Sequence, residues 1–151
     1  MSQPDPQVVA EATRERMFAN DAAAKMLGMR VSAIGPGSAT VTMRVRPELL
    51  NGFGICQGGL ITTLADTAFA YACNAFGEVT VASGFDVELL AAGRDGDLLT
   101  AQAVQVSQAG RTGVYDVEVR NQDGLLIALF RGRSHRLSRQ RADLPGSVPG
   151  G

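Results

Sequence analysis

Asp66 is a lone carboxylate in a long apolar run, and a glycine pair, Gly58-Gly59, stands where that run begins. A carboxylate among apolar side chains is unfavourable unless it is paired or put to use. The preceding loop, 51–57, reads Asn-Gly-Phe-Gly-Ile-Cys-Gln. A helix starting at the glycines presents free backbone N–H groups at the positive end of its dipole, a place that stabilises a developing oxyanion. A carboxylate able to act as base or nucleophile, near an amide-lined pocket, points to acyl chemistry. Each candidate has a plainer reading. Asp66 could be satisfied by the hydroxyls one turn back, Thr62 and Thr63. Gly58 and Gly59 could serve tight packing of a helix start against a strand. Asn51, followed by Gly52, is a common turn former.

The element that must carry Asp66 is a helix over 60–77. Leu60, Leu64, Ala68, Ala72 and Phe76 recur every fourth residue, and Ile61, Ala65, Phe69 and Cys73 form a second row. So wide an apolar stripe predicts a mostly buried helix. Before it, 2–7 reads as a frayed, Pro-containing lead-in. Residues 8–28 read as helix in two pieces broken near Asn20-Asp21, with Asp21 capping the second piece and Gly28 ending it. Val31, Ala33 and Ile34 make a first strand, 35–37 a turn, and 39–46 alternates apolar and polar residues as a half-buried strand. After Gly77 the pattern is strand throughout, over 79–90, 98–108, 113–121 and 125–137. Short turns favour antiparallel pairing, and one apolar helix followed by a meander implies an α+β fold with a curled sheet around that helix. The expected organisation is a partly helical N-terminal extension over 1–20, one domain over 21–138, and a disordered tail over 139–151.

Composition narrows the function classes. The chain has 151 residues, a length for one domain, and a formal net charge of −1. Nothing in that balance points to nucleic acid or an anionic membrane surface. No apolar run reaches the roughly 20 residues of a membrane span, and 1–15 carries no signal-peptide pattern. The expectation is a cytoplasmic protein. The cysteines are Cys56 and Cys73 and the single histidine is His135, which gives no disulfide framework and no expected metal site. Cys56 stands before a helix start, which can lower a thiol pKa. A Cys–His hydrolase would need His135 beside it, and nothing in the spacing brings the two together.

The segments Asn51-Gly52, Cys56-Gln57-Gly58-Gly59 and Leu64-Ala65-Asp66-Thr67-Ala68-Phe69-Ala70-Tyr71-Ala72-Cys73-Asn74 closely resemble the hotdog-fold acyl-CoA thioesterases of the phenylacetate-degradation type, the PaaI family. So do 112–117 and 128–136, and the resemblance spans about 22–137. It implies a hotdog fold, with the long helix inside the curved sheet. It also implies a dimer joined edge to edge, usually paired again into a tetramer, with active sites across the dimer interface. The implied reaction is hydrolysis of an aryl-acetyl or hydroxylated aryl-acetyl CoA, with no cofactor beyond the CoA of the substrate. Carried over by position, Asp66 is the nucleophile or general base, the Gly58 N–H polarises the thioester carbonyl, and Asn51 helps hold the carbonyl or the attacking water. Asp66 comes from one subunit and Asn51 and Gly58 from the other.

Two departures stand out. The family usually has His where this chain has Gln57, which can donate a hydrogen bond but cannot pass a proton near neutral pH. It commonly has Arg-Pro where this chain has Ala91-Ala92, with Arg94 close enough to substitute. Further substrate-binding candidates are Gly59 beside the oxyanion site, and Phe53, Leu60, Phe69 and Tyr71 as pocket lining. Ser83 and Gly84 are candidates to run along the pantetheine arm, although a mid-strand Gly can equally mark a bulge. Arg111, Arg131 and Arg133 are candidates for the CoA phosphates; solvated strand-end charge is the plainer reading of each. A hotdog hydratase or dehydratase would need a His with a carboxylate in one pocket, and a non-catalytic acyl-CoA-binding protein would account for Gln57.

Overall fold

The computed structural model describes residues 2–137; the tail expected over 139–151 lies outside them. Two helices open the chain, α1 (Pro6–Ala19) and α2 (Ala22–Met26). α1 starts earlier than its apolar pattern suggests, because Asp5 caps it. The Asp5 carboxylate accepts from Gln7 N at 2.8 Å, and Pro6 sits in the first turn, where a missing N–H costs nothing. The expected fraying of 2–7 therefore stops at Asp5. Asp21 caps α2 by accepting from Ala24 N at 3.1 Å, and Gly28 leaves it at φ +68°, as the sequence predicts.

The strands are β1 (Arg30–Gly35), β2 (Ser38–Arg44), β3 (Thr80–Leu89), β4 (Leu98–Ala109), β5 (Thr112–Arg120) and β6 (Leu126–Arg136), with α3 (Gly58–Asn74) between β2 and β3. All pairings are antiparallel, in the order β1-β2-β4-β5-β6-β3. This corrects the simple meander. β3 does not pair with β4; it lies beyond β6, at the far edge. The segment 90–97 is long enough to carry the chain across, and apolar alternation does not say which neighbour a strand will choose.

α3 lies on the inner face of this sheet. Ile61, Leu64, Ala65, Ala68, Phe69, Tyr71, Ala72 and Cys73 are buried. They pack against Val41 and Met43 of β2, Leu99, Ala101 and Ala103 of β4, Tyr115, Val117 and Val119 of β5, and Phe130 of β6. Phe69 is the hub, edge-on to Tyr115 at 5.5 Å and tilted against Phe130 at 5.8 Å. Its ring lies on the backbone of β6 at Gly132, where an added Cβ would come within 2.8 Å of it. At the far end of α3, Asn74 holds both backbone groups of Thr80. Its Nδ2 donates to Thr80 O, and its Oδ1 accepts from Thr80 N, each at 2.9 Å. That clamp fixes where β3 begins relative to the helix. β3 pairs with β6 alone among the described residues, so its other edge presents a row of backbone N–H and C=O groups.

Candidate active site

The loop before α3 is built on Asn51. Its Oδ1 accepts from Phe53 N at 2.9 Å and Ile55 N at 3.4 Å. Its backbone N–H donates to Ile55 O at 2.8 Å. The loop is pinned at its exit by Cys56 N to Gly93 O, 2.7 Å, and Gln57 N to Leu49 O, 2.9 Å. Asn51 is thus the turn former that its sequence context allows. Its amide Nδ2 still has no acceptor among the described residues, so that donor stays free. Phe53 stands at the loop tip, 92% exposed.

Gln57 is the N-cap of α3, with no side-chain capping bond. Its carbonyl already takes the N–H groups of Leu60, at 3.0 Å, and Ile61, at 3.3 Å. The N–H groups of Gly58 and Gly59 have no acceptor among the described residues. They point out past the start of the helix, as the first donors of any helix do. Gly58 is also a packing glycine: a Cβ there would lie 2.5 Å from Cδ1 of Leu89 on β3. Packing thus accounts for the glycine, while its N–H stays unbonded among the described residues.

Asp66 sits on the rim of the helix's buried face. At about 100° per residue it falls beside Cys73, Phe69 and Gly58 and opposite Leu64 and Tyr71. Phe69 and Gly58 face β6 and β3, so Asp66 borders the flank next to the free-edged strand. The residue is half-buried, and its carboxylate has no hydrogen-bond partner among the described residues. The hydroxyls that might have satisfied it are spent. Thr62 Oγ1 donates to Gly58 O at 2.9 Å and Thr63 Oγ1 to Gly59 O at 2.8 Å. Burial without a partner pushes the Asp66 pKa above the ordinary carboxylate value, which makes it a better base than a solvated Asp.

Asp66 and the Gly58 N–H cannot act on the same carbonyl within one chain. Eight residues of helix, about 12 Å, separate them, and the Gly58 N–H points away from Asp66. One protomer therefore keeps the Asp66 carboxylate and the Gly58 N–H apart.

The remaining candidates separate clearly. Ser83 and Gly84 mark a β-bulge, the register with β6 shifting between Ala82 and Gly84. Ser83 Oγ donates to Arg133 O at 3.2 Å. The Arg133 guanidinium crosses Gly84 and pairs with Asp86 at 2.8 Å. The bulge thus accounts for Gly84. Arg131 is held two-pronged by Asp116, Nε to Oδ1 at 2.6 Å and Nη2 to Oδ2 at 2.7 Å, and so is engaged on the outer face of the sheet. Arg111, exposed in the β4–β5 turn, has no ion-pair partner among the described residues. Arg94 N donates to Asp97 Oδ2 at 2.8 Å, which leaves its guanidinium at the surface.

Phe69 and Tyr71 are core rather than pocket lining. Both are fully buried, and Tyr71 OH donates to Asp21 Oδ2 at 3.0 Å, tying α3 to the cap of α2. The sequence reading overlooked Phe85 and Leu89, on the inner face of β3 and both part-exposed. Their spacing of two with Val87, between Asp86 and Glu88, is the signal that marks them.

Cys56 is buried, and burial pushes its thiol pKa up, so the helix start does not activate it. His135 pairs with Val81 at one end of β3, while Leu89 marks the other end beside Gly58. That is about 26 Å of strand, too far for a Cys–His pair within one protomer. Among the described residues there is no metal-binding cluster and no helix long and apolar enough to cross a membrane.

Residues 53–128 match the family model of the Thioesterase superfamily. Over 121 residues the chain is 50% identical to acyl-coenzyme A thioesterase PaaI of Escherichia coli strain K12, covering 80% of this chain and 86% of that protein. The solved E. coli PaaI protein from the phenylacetic acid degradation operon matches with a TM-score of 0.88 and 45% identity, over 89% of this chain and 98% of that one. A Streptococcus mutans protein solved with acetyl CoA bound matches at a TM-score of 0.71 and 26% identity, over 74% and 90%.

Proposed function

Because this chain belongs to the thioesterase superfamily, with its hotdog fold and thioester-hydrolase chemistry, we propose that it hydrolyses aryl-acetyl coenzyme A thioesters of the phenylacetyl type. The 50% identity to a PaaI acyl-CoA thioesterase and the relative solved with acetyl CoA support an acyl-CoA substrate, and the phenylacetic acid degradation operon of the solved E. coli relative supports the aryl-acetyl class. So does the apolar character of Phe53, Phe85 and Leu89 around the two parts of the proposed site.

The working unit is a dimer formed through the free edge of β3. Pairing two such edges antiparallel brings the Asp66 flank of one protomer toward the helix start of the other. The thioester carbonyl accepts from the Gly58 N–H, with Gly59 N–H and the Asn51 amide as further donors. Asp66 of the facing protomer takes the proton of a water attacking the carbonyl carbon. The tetrahedral oxyanion forms at the helix start, where amide dipoles are already oriented for it. Its collapse breaks the C–S bond and releases CoA thiolate, which takes up a proton, together with the aryl-acetic acid. Gln57 contributes a hydrogen-bond donor at the loop but no proton. Arg111, which has no ion-pair partner among the described residues, is available to a CoA phosphate.

One observation carries this reading: the Asp66 carboxylate is desolvated and unpartnered while the adjacent hydroxyls are committed to helix carbonyls. The test is thiol release across aryl-acetyl and straight-chain acyl-CoAs, with the parent and Asp66→Asn. The parent turns over phenylacetyl-CoA with the highest kcat/KM. Asp66→Asn binds it with similar Kd and loses about 10²–10⁴ in kcat. Equal turnover by Asp66→Asn removes Asp66 from the chemistry, and tight binding without thiol release by the parent marks a binding protein instead.

A further inference from the structure

The inner face of β3 carries Phe85, Val87 and Leu89 opposite Gly132, Phe130 and Ala128 of β6. Those three partners are buried. Phe85 nevertheless stays 41% exposed and Leu89 52%. With the β3 edge unpaired in the single chain, Leu89 stays half open toward the place where the thioesterase reading puts the facing protomer and the acyl group. Leu89 also reaches the helix start, because its Cδ1 occupies the place that a Gly58 side chain would take, 2.5 Å from an ideal Cβ. Its methyl rests against the residue whose N–H is unbonded. Four residues back, about 13 Å along the strand, the Phe85 ring stacks on Phe130 at 4.9 Å. One apolar wall thus runs from the free amide along β3, and none of its three side chains carries a polar atom.

Building on the thioesterase reading, we infer that Leu89 is a specificity-determining residue that sets the bulk of the acyl group admitted beside the Gly58 amide. The acyl group lies along β3 toward Phe85. Truncating Leu89 widens the site next to the carbonyl, and enlarging it narrows the same place. A hydrophobic pocket discriminates by about tenfold or more for each methylene it accepts or refuses.

The experiment compares kcat/KM for phenylacetyl-CoA and the bulkier 2-naphthylacetyl-CoA in the parent, Leu89→Ala and Leu89→Phe. The naphthylacetyl-to-phenylacetyl ratio rises about tenfold in Leu89→Ala and falls by a similar factor in Leu89→Phe. A ratio unchanged in both variants, whatever the absolute rates, overturns the inference, since a purely structural leucine depresses both substrates alike. If Leu89→Ala does not fold, the ratio in Leu89→Phe decides alone. A parent that cleaves neither thioester overturns the thioesterase reading itself, a result distinct from an active parent with an unmoved ratio.

Discussion

The proposed oxyanion donor is a backbone group, yet proline at its position can remove it. Gly58 is the first residue of α3, a position where proline suits a helix. Gln57 before it has ψ 128°, inside the range a residue preceding proline prefers. The obstacle is Leu89, whose methyl fills the side-chain position. Gly58→Pro is therefore made together with Leu89→Ala. Relative to Leu89→Ala alone, it loses about 10²–10³ in kcat for phenylacetyl-CoA while circular dichroism stays unchanged. Asp66 adds a pH signature. Burial raises its folded pKa, so ionisation costs more in the folded than in the unfolded chain. That penalty is absent below about pH 4, where both states are protonated, and complete above the folded pKa. Asp66→Asn is consequently more stable than the parent at neutral pH, by a margin that the carboxylate's partial contact with water keeps small. In urea titrations the gain disappears as the pH falls through the ordinary carboxylate range. The acid limb of the parent's kcat/KM profile sits above that range, since the base must be ionised. At this scale the half-buried acid at Asp66 and the helix start at Gly58 were legible in the sequence, because a lone acid in an apolar run and a glycine pair at its start are local signals. That Thr62 and Thr63 bond to the helix and not to Asp66 was not legible, since spacing allows both.

Among the elements, α3 was the most readable, its two apolar rows leaving little choice of buried face. The strands were found within a residue or two by alternation. What alternation could not supply was the neighbour of β3, which skips β4 and joins β6. Pairing order is a tertiary property, and a linker as long as 90–97 permits either outcome. The same limit hid the acyl wall: Phe85 and Leu89 gain meaning only once β3 lies beside the start of α3, whereas Phe69 and Tyr71, on the helix itself, looked available and proved to be core. The seat of α3 on the sheet makes its own prediction. Phe69 lies flat on Gly132, where a Cβ would come within 2.8 Å of the ring. Gly132→Ala forces the ring or the strand to move and destabilises the fold by about 1–3 kcal/mol, read as a lower midpoint in urea. An unchanged midpoint would show that the Phe69 contact is slack.

On the proposed mechanism, the whole molecule in single copy is an incomplete enzyme. Asp66 and the Gly58 N–H lie about 12 Å apart along one helix and face different ways, and the free edge of β3 runs beside them. The proposed isologous dimer would make two sites, each drawing Asp66 from one chain and Gly58 from the other. Residue spacing carries no trace of such sharing, which in the sequence is implied only by the family resemblance. Mixing two disabled chains tests the sharing directly. Asp66→Asn and Gly58→Pro/Leu89→Ala are each inactive as homodimers, but a heterodimer of the two rebuilds one complete site, with Asp66 from the second chain and Gly58 and Leu89 from the first. Co-expressed with different affinity tags, random pairing yields about a quarter of the parent's activity, concentrated in the doubly tagged fraction. Heterodimers that form and carry both tags yet release no thiol from phenylacetyl-CoA would contradict a site shared between protomers.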